Sequence, residues 1–180
     1  MTLCKIVSGL LTATLLISSV TNVQAQSRRP PRISSLGEIK CRGVQGSGYY
    51  SAINEEIPIR REIFRAIGII ATHAQWIGNN RPVELVCQIA ALNQAPRFKT
   101  LTLAFGFSDD AYTANGATVR LSIYKDGNFY GSQSVSKGDK LRWPVDIKNT
   151  RNLALEAECI STRRNSNSCP ALYFFEDVLE

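Results

Sequence analysis

The sequence predicts an all-β protein, a sandwich of antiparallel strands, and three observations predict it. Apolar residues recur at every second position in several separate windows, the period that sets them on one face of a strand. Lys125-Asp126-Gly127-Asn128 joins two strand candidates, and Asp-Gly supplies the positive backbone angles of a tight hairpin. Beyond Ile33 no window carries a long amphipathic helix.

The chain opens with a pattern for export. Lys5 is the only charge in the first 25 residues, and an apolar run through Ile6, Leu10, Leu11, Leu15, Leu16, Ile17 and Val20 follows it. Val23-Gln24-Ala25 offers a small residue at the cleavage position, so the signal peptide is expected to span 1–25 and to leave 155 of the 180 residues. Ser8, Thr12, Thr14, Ser18 and Ser19 interrupt the run, which falls short of the ~20 apolar residues of a membrane span. The mature chain is therefore expected in the periplasm or outside the cell, without a transmembrane span. Residues 26–32, with Arg28-Arg29-Pro30-Pro31-Arg32, read as an extended leader, because consecutive prolines block helix and sheet hydrogen bonding. Residues 33–180 are expected to form one domain.

Within that domain, Val83, Leu85, Cys87 and Ile89 alternate, as do Leu101, Leu103, Phe105 and Phe107. Val119, Leu121 and Ile123 follow, and later Leu153, Leu155 and Ala157. Their partners are mainly polar, as in strands that cover a core on one side and face water on the other. Residues 109–116 read as a loop, and Ser136-Lys137-Gly138-Asp139 as a turn. Tyr124 and Tyr130 are expected to pair across the Asp-Gly hairpin.

Removing the signal peptide takes Cys4 and leaves Cys41, Cys87, Cys159 and Cys169, an even number in an exported chain, which points to disulfides. Cys159 with Cys169 is the favoured local pair, tethering a polar loop, and leaves Cys41 with Cys87 as the long-range staple. A cysteine metal site is disfavoured because no Cys-x-x-Cys occurs.

Composition removes several functions. His73 is the only histidine, which excludes schemes needing two histidines and zinc sites built on His pairs. No Gly-x-Ser-x-Gly elbow is present. The formal charge of +6 falls to +5 with Lys5, enough for weak attraction to acidic polymers. The basic residues lie in short groups, Arg28-Arg29, Arg60-Arg61 and Arg163-Arg164, that do not interleave with aromatics, so nucleic acid is not expected as a partner.

Read in order, several segments resemble the NPCBM family of carbohydrate-binding modules, of the galactose-binding-domain-like superfamily, found attached to family 98 glycoside hydrolases and other secreted proteins. The carrying residues are Ile57-Pro58-Ile59, Phe64, Ile67-Gly68-Ile69 leading into Thr72-His73-Ala74, and Phe98 through Phe105-Gly106-Phe107-Ser108-Asp109-Asp110. Gly116 to Gly127 resembles the family's strand and hairpin, and Val145-Asp146-Ile147 with Leu153 to Ala157 its closing strands. The resemblance spans nearly the whole of 33–180. It implies a jelly-roll sandwich with sugar binding as its activity. The family's closing acidic, His- and Trp-containing segment is replaced by Cys169-Pro170-Ala171-Leu172-Tyr173-Phe174-Phe175-Glu176-Asp177, and the module is expected to act without an attached catalytic domain.

A pyranose presents an apolar face of C–H groups and a rim of hydroxyls, so its site needs an exposed aromatic ring and a few fixed donors and acceptors. His73, Trp76, Asn79, Asn80 and Arg81 supply a ring, an imidazole, two amides and a guanidinium in one short segment, and are the expected carbohydrate-binding residues. Tyr49-Tyr50, after Gly46-Ser47-Gly48, are a secondary candidate as an aromatic lip, and Arg142-Trp143 is expected to stack as a structural pair. Asp109, Asp110 and Asn115 are candidate ligands of a structural calcium, the one cofactor considered, although their spacing is not that of an EF-hand. Adjacent Asp109 and Asp110 do not fix the separation that a glycosidase acid and base need, so the chain is expected to be non-catalytic. The leading expectation is a secreted module whose partner is a glycan or cell-surface polysaccharide. The alternative is a protein-interaction module on the same scaffold.

Overall fold

The computed structural model describes residues 33–45, 49–71, 82–162 and 169–180. Its strands are β1 (Ser34–Ser35), β2 (Cys41–Gln45), β3 (Tyr49–Ile59), β4 (Glu62–Ala71), β5 (Val83–Gln88), β6 (Thr100–Gly106), β7 (Thr118–Lys125), β8 (Asn128–Ser136), β9 (Lys140–Asp146), β10 (Asn152–Ser161) and β11 (Leu172–Leu179). The only helical elements among the described residues are the 3-10 turns Leu36–Glu38 and Tyr112–Ala114. One sheet runs β3-β4-β11-β6-β9, with β1 also paired to β11, and the other runs β2-β5-β10-β7-β8. Every pairing is antiparallel, and the two sheets close on one another as the predicted sandwich.

The predicted alternation is the core. Val83, Leu85 and Cys87 face inward from β5, Leu101, Leu103 and Phe105 from β6, Val119, Leu121 and Ile123 from β7, and Leu153, Leu155 and Ala157 from β10. Leu172, Phe174 and Leu179 of β11 join them, with the Phe105 and Phe174 rings 6.0 Å apart. Each fully buried Leu, Ile or Phe contributes about 1.5 to 3 kcal/mol relative to exposure. Two disulfides, Cys41–Cys87 and Cys159–Cys169, complete the framework in the expected connectivity.

Among the described residues one charged side chain is buried with this core. Asp177 of β11 is fully buried; its carboxylate accepts hydrogen bonds from the Ser35 hydroxyl at 2.7 Å and from the Tyr50 hydroxyl. Tyr50 therefore forms no surface lip. Its ring packs on Phe174 at 5.4 Å in space that Gly68 leaves open, where a Cβ would come within 2.0 Å of the Tyr50 oxygen.

The Asp126-Gly127 hairpin forms as predicted, with φ of 47° and 83°. A register shift between Ile123 and Tyr124 changes its expected aromatic pairing: Tyr124 meets Phe129 edge-on at 5.5 Å, and Tyr130 turns to Trp143 at 6.4 Å. Trp143 is half-buried across Gly131 at the sandwich edge. The expected Arg142–Trp143 stack is replaced by an ion pair in which the Arg142 guanidinium reaches both Glu176 oxygens, at 2.8 and 3.0 Å.

Candidate functional site

The expected carbohydrate-binding residues His73, Trp76, Asn79, Asn80 and Arg81 lie outside the described residues, between the end of β4 and the start of β5. Among the described residues, the β3–β4 hairpin builds one wall of a concave surface. The half of the hairpin nearest its turn packs Ile57, Ile59, Phe64 and Ala66 against Tyr173 and Phe175, a satellite cluster apart from the main core. The Phe64 and Phe175 rings lie 5.7 Å apart. Burial here raises the Tyr173 hydroxyl above its ordinary pKa, and the charge of Glu55 adds to the effect.

The hairpin turn is Arg60-Arg61, with Ile59 opposite Glu62 and both arginines at positive φ. Three neighbouring contacts hold it. The Asp109 carboxylate accepts the Arg60 backbone N–H at 2.7 Å, and the Asp109 N–H returns a bond to the Pro58 carbonyl at 3.0 Å. The Arg60 guanidinium reaches Asp139 at 3.4 Å. Asp139 belongs to the predicted 136–139 turn, which is closed by the Asp139 N–H to the Ser136 carbonyl and by the Ser136 N–H to the Asp139 carboxylate, both at 2.9 Å. Gly106 permits the close approach: a Cβ there would meet the Asp139 carbonyl oxygen at 2.4 Å.

Between hairpin and turn lies a groove of about 460 Å³, lined by Ile59, Arg60, Glu62, Phe64, Asp139 and Lys140 among others. The Lys140 ammonium stands 3.7 Å above the Phe64 ring centroid, a cation–π contact. An apolar floor beneath separated donors and acceptors is the composition that holds a polyol. In the sequence Arg60-Arg61 shows only as a basic pair, because nothing local marks two arginines as a turn.

The calcium candidates occupy the loop behind this groove. Asp109 is committed to the Arg60 N–H, while its other carboxylate oxygen is buried without a hydrogen-bond partner. The Asn115 side-chain oxygen accepts from Lys137 at 2.9 Å, and the exposed Asp110 donates its backbone N–H to the Ser108 hydroxyl at 3.2 Å. Among the described residues no group of three or more His, Cys, Asp or Glu side chains is placed to share a metal ion.

On the opposite sheet, Tyr124 donates to Glu156 at 3.2 Å, and Arg120 pairs with Glu158. Burial raises the Tyr124 hydroxyl above its ordinary pKa, and the neighbouring Glu156 and Glu84 raise it further. Phe129 is exposed beside Tyr124, whereas Tyr130 is capped by Lys125 at 4.5 Å.

No protein-family model matches the chain, and no curated protein matches its sequence. Solved structures match its fold. A CBM51 module from Clostridium perfringens GH95, solved with methyl-galactose, superposes with a TM-score of 0.57 at 16% identity over 82% of this chain and 99% of that one. The CBM51-2 and INT domains of Clostridium perfringens ZmpB, solved with GlcNAc, give 0.57 at 15% identity over 82% of this chain. The chain spans 31% of that longer structure. This is the fold of the CBM51 carbohydrate-binding modules. The K1 cleaved adhesin domain of Lys-gingipain from Porphyromonas gingivalis W83 shares it at a TM-score of 0.50 and 13% identity, over 82% and 96% of the two chains. Among the described residues no helix is long and apolar enough to cross a membrane.

Proposed function

We propose that the chain is an exported, non-catalytic carbohydrate-binding module of NPCBM type that holds a glycan by aromatic stacking and hydrogen bonds. The observation that carries this reading is the superposition over 82% of the chain on a CBM51 module solved with methyl-galactose. The two disulfides agree with assembly in an oxidising compartment. The segment that connects β4 to β5 supplies the site in this proposal: Trp76 as the stacking ring, with His73, Asn79, Asn80 and Arg81 as the fixed polar partners. A calcium ion at Asp109, Asp110 and Asn115 would be structural, and would have to displace the Arg60 N–H and Lys137 contacts. The adhesin-domain match favours a second reading, a protein-contacting module on the same scaffold.

The test is a glycan array probed with the oxidised chain and with Trp76→Ala, each with and without calcium. Saturable binding that is lost in the variant supports the module and its site. Silence from a folded protein across a broad array, together with a protein partner insensitive to competing sugars, moves the conclusion to the second reading.

A further inference from the structure

The β3–β4 turn is made of residues that its backbone disfavours. Arg60 and Arg61 hold φ of 49° and 69°, the left-handed region in which a Cβ crowds the following carbonyl and which glycine enters freely. The β7–β8 hairpin solves the same problem in the ordinary way, with Asp126-Gly127. Two surrounding loops are shaped to keep Arg60 in place. Asp109 takes its N–H, and Gly138, at φ 82°, stays bare where a Cβ would meet the Arg60 side chain at 3.3 Å. Strain kept where Asn-Gly would relieve it is an outlier that points to function.

The charges around the turn give that function a direction. Asp139 is neutralised within the protein, by the Ser136 N–H on one oxygen and Arg60 on the other. Lys140 stands on the Phe64 ring and Arg61 at the turn, and neither has an ion-pair partner among the described residues. Glu62 is left as the acceptor on the groove wall.

We propose that this groove binds the acidic unit of a polysaccharide: the Arg60 guanidinium on its wall receives a sugar carboxylate or sulfate through paired N–H donors, Lys140 adds charge, Arg61 adds a second positive charge at the adjoining turn position, and Glu62 accepts from a ring hydroxyl. The proposal does not rest on sugar recognition by residues 72–81.

The experiment measures binding of the oxidised chain to polygalacturonate, chondroitin sulfate, neutral galactan and a DNA duplex by affinity electrophoresis and calorimetry, at low and raised salt. The decisive variant is Arg60→Asn with Arg61→Gly, which gives the turn its preferred residues. It is expected to melt no lower than the parent and to bind the acidic polymer at least ~10-fold more weakly, with Lys140→Gln weakened less. Preference for polygalacturonate identifies a carboxylate, and preference for chondroitin sulfate a sulfate ester; either supports the site. The proposal is overturned if the folded protein binds neither acidic polymer, if the turn variant binds like the parent, if the DNA duplex binds equally well, or if Trp76→Ala abolishes the binding. Loss of neutral-glycan binding alone in Trp76→Ala concerns the 72–81 segment and leaves the groove supported.

Discussion

The backbone N–H of Arg60 is held by the carboxylate of Asp109 at 2.7 Å, across 49 residues of sequence. That bond ties a hairpin turn to the loop following β6 and so fixes one wall of the groove. Asp109→Ala leaves the Arg60 N–H without its acceptor and is expected to cost about 1 to 2 kcal/mol, whereas Asp109→Asn retains an oxygen and costs less. Thermal unfolding of the three proteins measures the difference. Because Asp109 and Asn115 are already engaged, melting in calcium and in chelator is expected to coincide; a rise of several degrees with calcium would instead place the ion in this loop.

Gly68 and Tyr50 make a second prediction. Gly68→Ala drives a Cβ to within 2.0 Å of the Tyr50 oxygen, so the ring must leave Phe174 and release Asp177. Losing the packing and leaving a buried carboxylate short of a donor is expected to destabilise by about 2 to 4 kcal/mol. Adding Tyr50→Phe to Gly68→Ala should cost less than the two separate effects combined, since both break one contact. A chemical-denaturation double-mutant cycle reads this directly, and strict additivity would refute the shared contact.

The same tyrosine sets an alkaline limit. Burial, then the charge of Asp177 and the hydrogen bond to it, raise the Tyr50 hydroxyl far above its ordinary 10.0. A group raised in the folded state stabilises fully below its unfolded pKa, and that contribution is lost as pH climbs from about 10 toward the folded value. Stability is therefore expected to fall above pH ~10 by up to about 1.4 kcal/mol per pH unit from this group, and to fall less steeply in Tyr50→Phe. Denaturant midpoints between pH 8 and 11.5 check it; parallel curves for parent and variant would remove Tyr50 as the cause.

What the sequence made legible follows its periodicities. Val83 to Cys87, Leu101 to Phe107 and Leu153 to Ala157 face water on one side at most, so period two is written into them, and each became a core strand. β8 was legible only through its Asp-Gly hairpin because, as an exposed edge, it buries only Val135 and carries no alternation. The Arg60-Arg61 turn was hidden for the opposite reason: its backbone is imposed by Asp109 and the 136–139 turn, both distant in sequence. The Tyr124 pairing failed on a single register shift, which no local pattern announces. Of the candidate sites, the 72–81 segment was visible as chemistry in one stretch, while the groove exists only after the β3–β4 hairpin and the 136–139 turn meet.

The two disulfides should differ in what they contribute. Cys41 and Cys87 sit opposite one another on β2 and β5, with a separation of 46 residues, whereas Cys159 and Cys169 are 10 residues apart. In the chain-entropy account, the longer loop removes about 4 kcal/mol of freedom from the unfolded state and the shorter about 3 kcal/mol. β2 is otherwise held in its sheet only by β5, along a ladder with a shift between Gly43 and Gln45, so Cys41→Ser with Cys87→Ser is also expected to release that edge. Hydrogen exchange should then rise at Arg42 and Val86, while Cys159→Ser with Cys169→Ser leaves those amides protected. Equal loss of stability in the two double variants, with no local change in exchange at β2, would show that the long-range bridge adds little beyond the sheet.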